Sequence, residues 1–463
     1  MRIRLAAALL LFAALPLLAQ DTLAPDVKAG IDKAVAEVLE KTGAPSASIA
    51  VVKDGKLAYV RAYGLARVEP PMPAAPEMRY SIGSISKQFT AAAILLLAEE
   101  GKLSLDDRVV RWLPELTRAK DVTVRQLLSM TSGYQDFWPQ DYVMPMMMQP
   151  VTADAIAKGW AQKALDFEPG TKWQYSNTNY VVAGMIVERV AGMPLLEFLQ
   201  KRVFGPLHMT TVSDTDAAPL GPGDPSRYLR YALGPLRIAP KEGKGWMFAA
   251  GELAMTARDL ALWDISMIEQ SVLQPASYRA MQTEAQLNNG VGTRYGLGVS
   301  IGVVDGRRNI SHNGEVSGFT AENDVFVDDK AAVVVLTNID ASNAMSQIAS
   351  KINTLIFATT DPATPKATET ARKIFEGLQK GQIDRSLFTS NASAYFSEQA
   401  VKDFASSLGP LGAPQEFTQA GQSSRGGMTL RRYRVKLAQK TLRITTFWMP
   451  DGKIEQFQVA VAE

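Results

Sequence analysis

The chain has 463 residues, 46% hydrophobic and 21% charged, with a formal net charge of +2 and no cysteine. That profile is globular and long enough for a large core and more than one domain. It excludes disulfide frameworks, thiol nucleophiles and thiolate metal sites, and it offers no basic excess to draw nucleic acid or an anionic membrane surface.

Met1-Arg2-Ile3-Arg4 is a short basic start, Leu5 to Leu18 is nearly all apolar, and Ala19 is a small residue suited to cleavage. The pattern predicts a secretory signal peptide over residues 1–19, too short to span a bilayer as an anchor. Removing Arg2 and Arg4 leaves 47 basic residues (49 − 2) against 47 acidic ones. The expectation is an exported protein, periplasmic or extracellular, with no stable membrane anchor and no nucleic-acid partner.

Ala24 to Lys41 has helical periodicity. Ser46 to Val52 and Lys56 to Tyr63 flank Asp54-Gly55, a hairpin signal. A strongly apolar helix is predicted from about Ser84 to Glu100, ended by Gly101; its Ala91–Ala98 stretch carries no charge, so it should be buried on most sides. From Asp106 to about Ala280 the chain reads as helical segments and long loops, with Trp173–Tyr180 leading into a helix over Val181–Val190. Strands are predicted over Tyr295–Val304, Asn309–Asn313, Thr320–Val327 and Ala331–Thr337, then a helix over Ala344–Phe357. Strands at both ends of this region imply one α/β domain, residues 24–358, with an antiparallel sheet assembled from both ends, flanked by helices and interrupted by an α-rich insertion.

Residues 359–366 (Thr-Thr-Asp-Pro-Ala-Thr-Pro-Lys) read as a linker. Residues 367–463 have their own pattern. Helices are expected over Thr368–Gln379 and Ser397–Leu408. Strands are expected over Glu416–Ala420, Met428–Leu437, Leu442–Met449 and Ile454–Val461, with Gly426-Gly427 and Pro450-Asp451-Gly452 as turns. This is a small α+β domain, of the nuclear-transport-factor-2-like (NTF2-like) kind by helix and strand order alone.

Ser84-Ile85-Ser86-Lys87 puts a hydroxyl and an amine on one helix face. A buried lysine loses charge, and a neutral amine beside a serine can take its proton. Two further elements follow in the chain: Tyr175-Ser176-Asn177 and His312-Asn313-Gly314. Each residue also has a plain structural alternative: Ser84 as a helix cap, Tyr175 as a packed aromatic, Asn177 as a turn residue. There is no Gly-x-Ser-x-Gly elbow, P-loop or dinucleotide fingerprint. Two histidines, His208 and His312, with no cysteine argue against a zinc site; His208, in a Pro206–Met209 turn, reads as structural. No metal and no cofactor are expected.

Together the three motifs resemble the serine β-lactamase and penicillin-binding-protein superfamily, in its class C-like branch. Tyr80-Ser81-Ile82-Gly83 is similar to that family's approach to the serine. Gly101-Lys102-Leu103-Ser104-Leu105-Asp106-Asp107 is similar to its helix exit. The segment from Val122 to Gly133 is similar to "LLxHTSG". Phe167-Glu168-Pro169-Gly170 precedes the tyrosine loop, and Asn313 to Phe319 resembles the end of its active-site strand.

The resemblance implies a β-lactamase-like fold and an acyl-enzyme on Ser84. Lys87 would activate the serine. Two cationic neighbours would stabilise the Tyr175 phenolate or shuttle protons through it, making it general base and acid. Asn177 would bond a substrate amide and Lys87. His312 would line the site from an edge strand, where lysine stands in many β-lactamases, with a charge only partly present at neutral pH. Gly314 would leave room for the acyl group. The backbone N–H groups of Ser84 and Glu315 would form the oxyanion hole. Met130 stands where the family often has histidine. After it, Tyr134, Phe137, Trp138, Tyr142 and the Met144–Met148 tract read as an apolar segment, either core filling or a lid.

The implied function is an exported serine hydrolase cleaving an amide or ester of a small-molecule or peptide substrate. A D-amino-acid peptidase, as carboxypeptidase or aminopeptidase, comes first. A carboxylesterase or a β-lactamase is the alternative. A penicillin- or peptide-binding sensor that acylates without turnover is the alternative of another class.

Overall fold

The computed structural model describes residues 22–358 and 363–462. The leader predicted over residues 1–19 lies outside them. The chain divides after Phe357 into two compact units. No helix of the described residues is long and apolar enough to cross a membrane.

The first unit opens with α1 (Pro25–Thr42), which has proline in its first turn and Gly43 in the left-handed region at its C-terminus. The hairpin β1 (Ser46–Lys53) and β2 (Lys56–Arg67) follows. Its Asp54 and Gly55 both have positive φ, as a tight hairpin turn matched to strand twist requires. Then come α2 (Ser86–Glu99), α3 (Asn177–Ala191) and α4 (Ala257–Glu269). The strands β3 (Ser300–Val304), β4 (Arg307–Val316), β5 (Phe319–Phe326) and β6 (Ala331–Thr337) precede α5 (Ala344–Ile356).

Among the described residues the main sheet has seven strands. Met72–Pro73 forms one edge, followed by β2, β1, β6, β5, β4 and β3. β1 pairs antiparallel with β6, Ile49 opposite Val335, so the N-terminal hairpin and the C-terminal strands close one sheet. Both faces are covered. Val333 and Val335 point into a core with Ile31 and Val35 of α1 and Ile348 and Ile352 of α5. Val334 and Leu336 point the other way, into the larger core that holds α2 and α4. The period-2 alternation of a strand thus feeds two layers of helix.

α2 is the centre of that larger core. Every side chain from Ser86 to Leu97 is buried. A helix apolar on all sides must be an interior helix. Each buried Leu, Ile or Phe contributes about 1.5–3 kcal/mol.

Several boundaries move from the sequence expectation. The helix after the tyrosine motif starts at Asn177, not Val181. Its polar first turn is packed against the site rather than solvated, so polarity there does not mark a loop. The strand expected from Tyr295 starts at Ser300, because Gly298 holds a left-handed φ of 77° that breaks the extended run.

The second unit has helices at Thr364–Gln379, Ser390–Tyr395 and Glu398–Leu408. Four antiparallel strands follow in sequential order: Glu416–Arg425, Met428–Lys436, Thr441–Trp448 and Ile454–Val461. Phe375, Leu378, Tyr433, Val435, Ile444 and Ile454 pack in its core. The Ser390–Tyr395 helix was not expected. Thr364-Pro365-Lys366, expected as linker, is the first turn of a helix, a position that tolerates proline; residues 359–362 of that linker lie outside the described residues.

Candidate active site

The site is built where the start of α2 meets the end of β4. Ser84 lies in a short 3₁₀ turn, Gly83–Ile85, just before α2. Gly83 has φ +51°, and a Cβ on it would stand 2.8 Å from the Glu315 backbone nitrogen. Only glycine permits that approach. On the facing strand, a Cβ at Gly314 would stand 1.9 Å from the Ile82 carbonyl oxygen and 3.3 Å from the Ser84 nitrogen. The two glycines therefore let the nucleophile turn and β4 run side by side, with the Ser84 and Glu315 amides close together.

One helical turn on, Lys87 is fully buried. Its Nζ lies 2.9 Å from Ser84 Oγ, 2.8 Å from Asn177 Oδ1 and 2.7 Å from the Ala250 carbonyl oxygen. Burial pulls its pKa down to about 7, opposed by the negative charge of Asp136. A neutral amine suits this cage. Its two N–H groups face two obligate acceptors, Asn177 Oδ1 and Ala250 O, and its lone pair faces a hydroxyl that can donate.

Tyr175 is packed against the same amine, its ring centroid 5.0 Å from Lys87 Nζ, and its hydroxyl interacts with Ser84. Burial raises the Tyr175 pKa far above the ordinary phenol range, and the charge of Asp136 adds to the rise. The tyrosine is therefore a neutral proton donor at rest. Of the two expected roles, the raised pKa disfavours a resting phenolate and suits proton shuttling.

His312 does not supply a second cation beside Tyr175. Its ring is buried, with Nε2 2.9 Å from Tyr295 Oη and Nδ1 2.6 Å from the Asn313 carbonyl oxygen. The carbonyl can only accept, so Nδ1 carries the proton and Nε2 accepts from the tyrosine. Burial, reinforced by the nearby Lys87, lowers the His312 pKa to about 4. His312 is neutral at physiological pH and supplies no partial charge. It stands behind Tyr175, ring centroids 6.2 Å apart, and is not among the side chains lining the cavity. Nor is β4 an edge strand along its whole length. β3 pairs with it from Arg307 to Ser311, and the pairing stops one residue before His312.

A cavity of about 990 Å³ opens over Ser84, with Tyr175, Asn177, Asn313 and Glu315 in its walls. Trp138, Tyr142 and Trp173 add an aromatic side. The methionine tract divides: Met147 is buried in the core, Met146 is half exposed, and Met148 lines the cavity. Core filling and wall both occur, in neighbouring residues of one 3₁₀ turn, Pro145–Met148.

Met130 is fully buried in the left-handed region, φ +61°. Its sulfur accepts from the Ser176 backbone N–H at 3.4 Å and from Asn179 Nδ2 at 3.6 Å. The thioether thus supports the loop that delivers Tyr175 and Asn177. His208 is an exposed turn residue at φ +55°.

Asp136 was missed in the sequence. Its Oδ1 accepts from the backbone N–H groups of Asn177 (2.9 Å) and Trp138 (3.2 Å), and its Oδ2 meets Asn177 Nδ2 at 3.4 Å. It lines the cavity. Desolvation raises its pKa, opposed by those N–H groups and by Lys87. The available signal was a lone acid three residues after Thr131-Ser132-Gly133, amid Tyr134, Phe137 and Trp138.

Comparison with known proteins agrees with this geometry. The Beta-lactamase family model matches residues 31–355. The chain is 26% identical to penicillin-binding protein 4* of Bacillus subtilis over 320 residues, 65% of this chain and 69% of that protein. It is 27% identical to a D-aminopeptidase of Brucella anthropi over 311 residues, 64% of this chain and 56% of that one. A D-stereospecific amidohydrolase from Streptomyces sp. superposes with a TM-score of 0.62 at 26% identity, covering 71% of this chain and 98% of the other. With a serine, a buried lysine and a tyrosine gathered under one cavity and the family match spanning most of the first unit, the chain belongs to the Beta-lactamase family and is a serine hydrolase.

Proposed function

We propose that this protein is an exported hydrolase of amide bonds in D-amino-acid peptides or amides, acting through an acyl-enzyme on Ser84. The observation that carries the mechanism is Lys87 Nζ, fully buried and 2.9 Å from Ser84 Oγ. The likeness to a D-aminopeptidase and a D-stereospecific amidohydrolase supports the substrate class. The apolar leader with its basic start supports export.

The neutral Lys87 amine takes the Ser84 proton as Oγ bonds the carbonyl carbon. Negative charge develops on the carbonyl oxygen, beside the Ser84 and Glu315 backbone N–H groups. Tyr175 gives its proton to the leaving nitrogen and regains one from the Lys87 ammonium, and the C–N bond breaks. A water then loses its proton to the same network and attacks the acyl carbon. The Oγ–C bond breaks, Ser84 recovers its proton, and the acid is released. Asn177 holds the amine in place through Oδ1.

A serine-reactive phosphonate should label Ser84 alone, and Ser84→Ala should abolish both labelling and p-nitrophenyl acetate turnover. A turnover screen should then find D-aminoacyl amides or D-Ala-D-Ala peptides ahead of p-nitrophenyl esters and nitrocefin. Labelling of another serine would defeat the mechanism. Stoichiometric acylation without steady-state release would make the protein a sensor.

A further inference from the structure

The walls of the cavity carry an unbalanced charge. Asp136, Asp141, Glu315 and Asp340 line it, and the one basic side chain among the described lining residues is Arg230. The Arg230 guanidinium is turned to backbone, donating to the carbonyl oxygens of Gly234 (2.9 Å) and Gly43 (3.1 Å). Lys87 lies beneath the floor in its own cage, and His312 is buried and neutral. Apart from the buried Arg230 Nε–H, which has no partner among the described residues, no cationic group of the described walls is free to pair with a substrate carboxylate.

The four acids are not equivalent. Glu315 Oε1 accepts from the Ala341 N–H, and Asp340 Oδ2 accepts from the Gly318 N–H. Asp141 is exposed on the rim. Asp136 is deeper. Its Oδ1 is occupied by two backbone N–H groups, whereas among the described residues its Oδ2 has only the long 3.4 Å contact to Asn177 Nδ2. A carboxylate oxygen can accept more than that, and a desolvated one benefits greatly from a cation. Its position also fits. Asn177 bridges Asp136 to Lys87, and Lys87 bonds Ser84. The carboxylate is therefore linked to Ser84 through two side chains, Asn177 and Lys87, and lines the same cavity as Ser84. An α-ammonium is two bonds from the carbonyl carbon, and a charge-assisted hydrogen bond adds only about 2.8 Å.

We infer that Asp136 is a specificity-determining residue that reads the free α-ammonium of the acyl group, so that the substrates are amine-bearing aminoacyl compounds rather than peptides presenting a carboxylate. The inference rests on the acyl-enzyme reading and deepens it. It favours aminopeptidase or amidase action over carboxypeptidase action. The competing role for Asp136 is purely architectural, an anchor for the first turn of α3.

The test uses the full chain with p-nitrophenyl acetate turnover as reporter. D-Phenylalaninamide and N-acetyl-D-phenylalaninamide are compared as competitors. The wild-type protein should bind the free amine more tightly by at least about tenfold, the worth of one charge-assisted hydrogen bond. Asp136→Asn should bring the two inhibition constants within about twofold of each other, whatever loss both share. Asp136→Glu should keep the preference. Equal inhibition of the wild type by the two compounds overturns the inference without any variant. A wild-type preference that survives in Asp136→Asn also overturns it and leaves the residue as an anchor. Absence of Ser84-dependent ester turnover overturns both this inference and the function it rests on.

Discussion

Gly314 passes so close to Ile82 that a single added methyl would stand 1.9 Å from the Ile82 carbonyl oxygen. That contact sets the distance between the active-site strand and the nucleophile turn. Gly314→Ala should lower turnover of every substrate by about 100-fold or more, the scale of a lost oxyanion donor. Because the strand is paired on its other side, Ala321 opposite Gly314, the protein should still fold. Near wild-type kcat with the alanine would show that the strand and the turn move apart without consequence.

The pH profile follows from Lys87. Its pKa is lowered to about 7, and the reaction needs the neutral amine. Activity should therefore rise with pH through an acid limb near 7 and be low at pH 5, where the amine is charged. His312, with a pKa near 4, adds no limb between pH 5 and 8. Lys87→Ala should cost at least ~100-fold in kcat/KM. Initial rates from pH 5 to 9, in the wild type and in His312→Ala, check this. A limb that His312→Ala removes would assign the titration to the wrong residue.

Tyr175 is a proton donor in the resting site, so its importance should follow the leaving group. An amide nitrogen must be protonated to leave, and p-nitrophenolate need not be. Tyr175→Phe should slow amide cleavage by ~100-fold or more and activated ester cleavage by much less. Its loss should not add to that of Lys87→Ala, since both residues move the same proton. Equal losses on amide and ester would place the tyrosine in binding or packing instead.

Met147 and Met148 are neighbours with opposite surroundings. Met147→Ser empties a core position and buries a hydroxyl, so it should cost about 2–5 kcal/mol of stability. Met148→Ser touches the cavity and should raise KM for long apolar acyl groups more than for acetyl, with little change in melting temperature. Thermal melts and a chain-length series on the two variants separate the effects. A matching stability loss at both positions would remove Met148 from the cavity wall.

Each compact unit has its own core, so a chain ending at residue 358 should fold. It should still be labelled at Ser84 by a phosphonate. Loss of labelling with an unfolded spectrum would show that the two units fold as one. Loss of labelling with a native spectrum would give the second unit a part in the reaction.

Local spacing made the chemistry legible. Ser84 and Lys87 are one helical turn apart, and no tertiary contact is needed to bring them together. The hairpin at Asp54-Gly55, the interior character of α2 and the antiparallel sheet closed from both ends of the first unit were equally readable, because burial imposes a period on the sequence. The boundaries at Asn177 and Ser300 were not, since a polar turn packed against a site looks like a loop, and a left-handed glycine inside an apolar run is invisible until the backbone is seen. The decisive electrostatics were tertiary. His312 is neutral because Tyr295 and a neighbouring carbonyl enclose it, and Tyr175 stays protonated because burial outweighs its neighbours. Asp136 joins the site only because the loop after Gly133 folds back onto the first turn of α3, 41 residues downstream. Sequence determines which ionisable groups a chain owns; their charge states depend on desolvation and on partners far along the chain, and only the folded structure decides those.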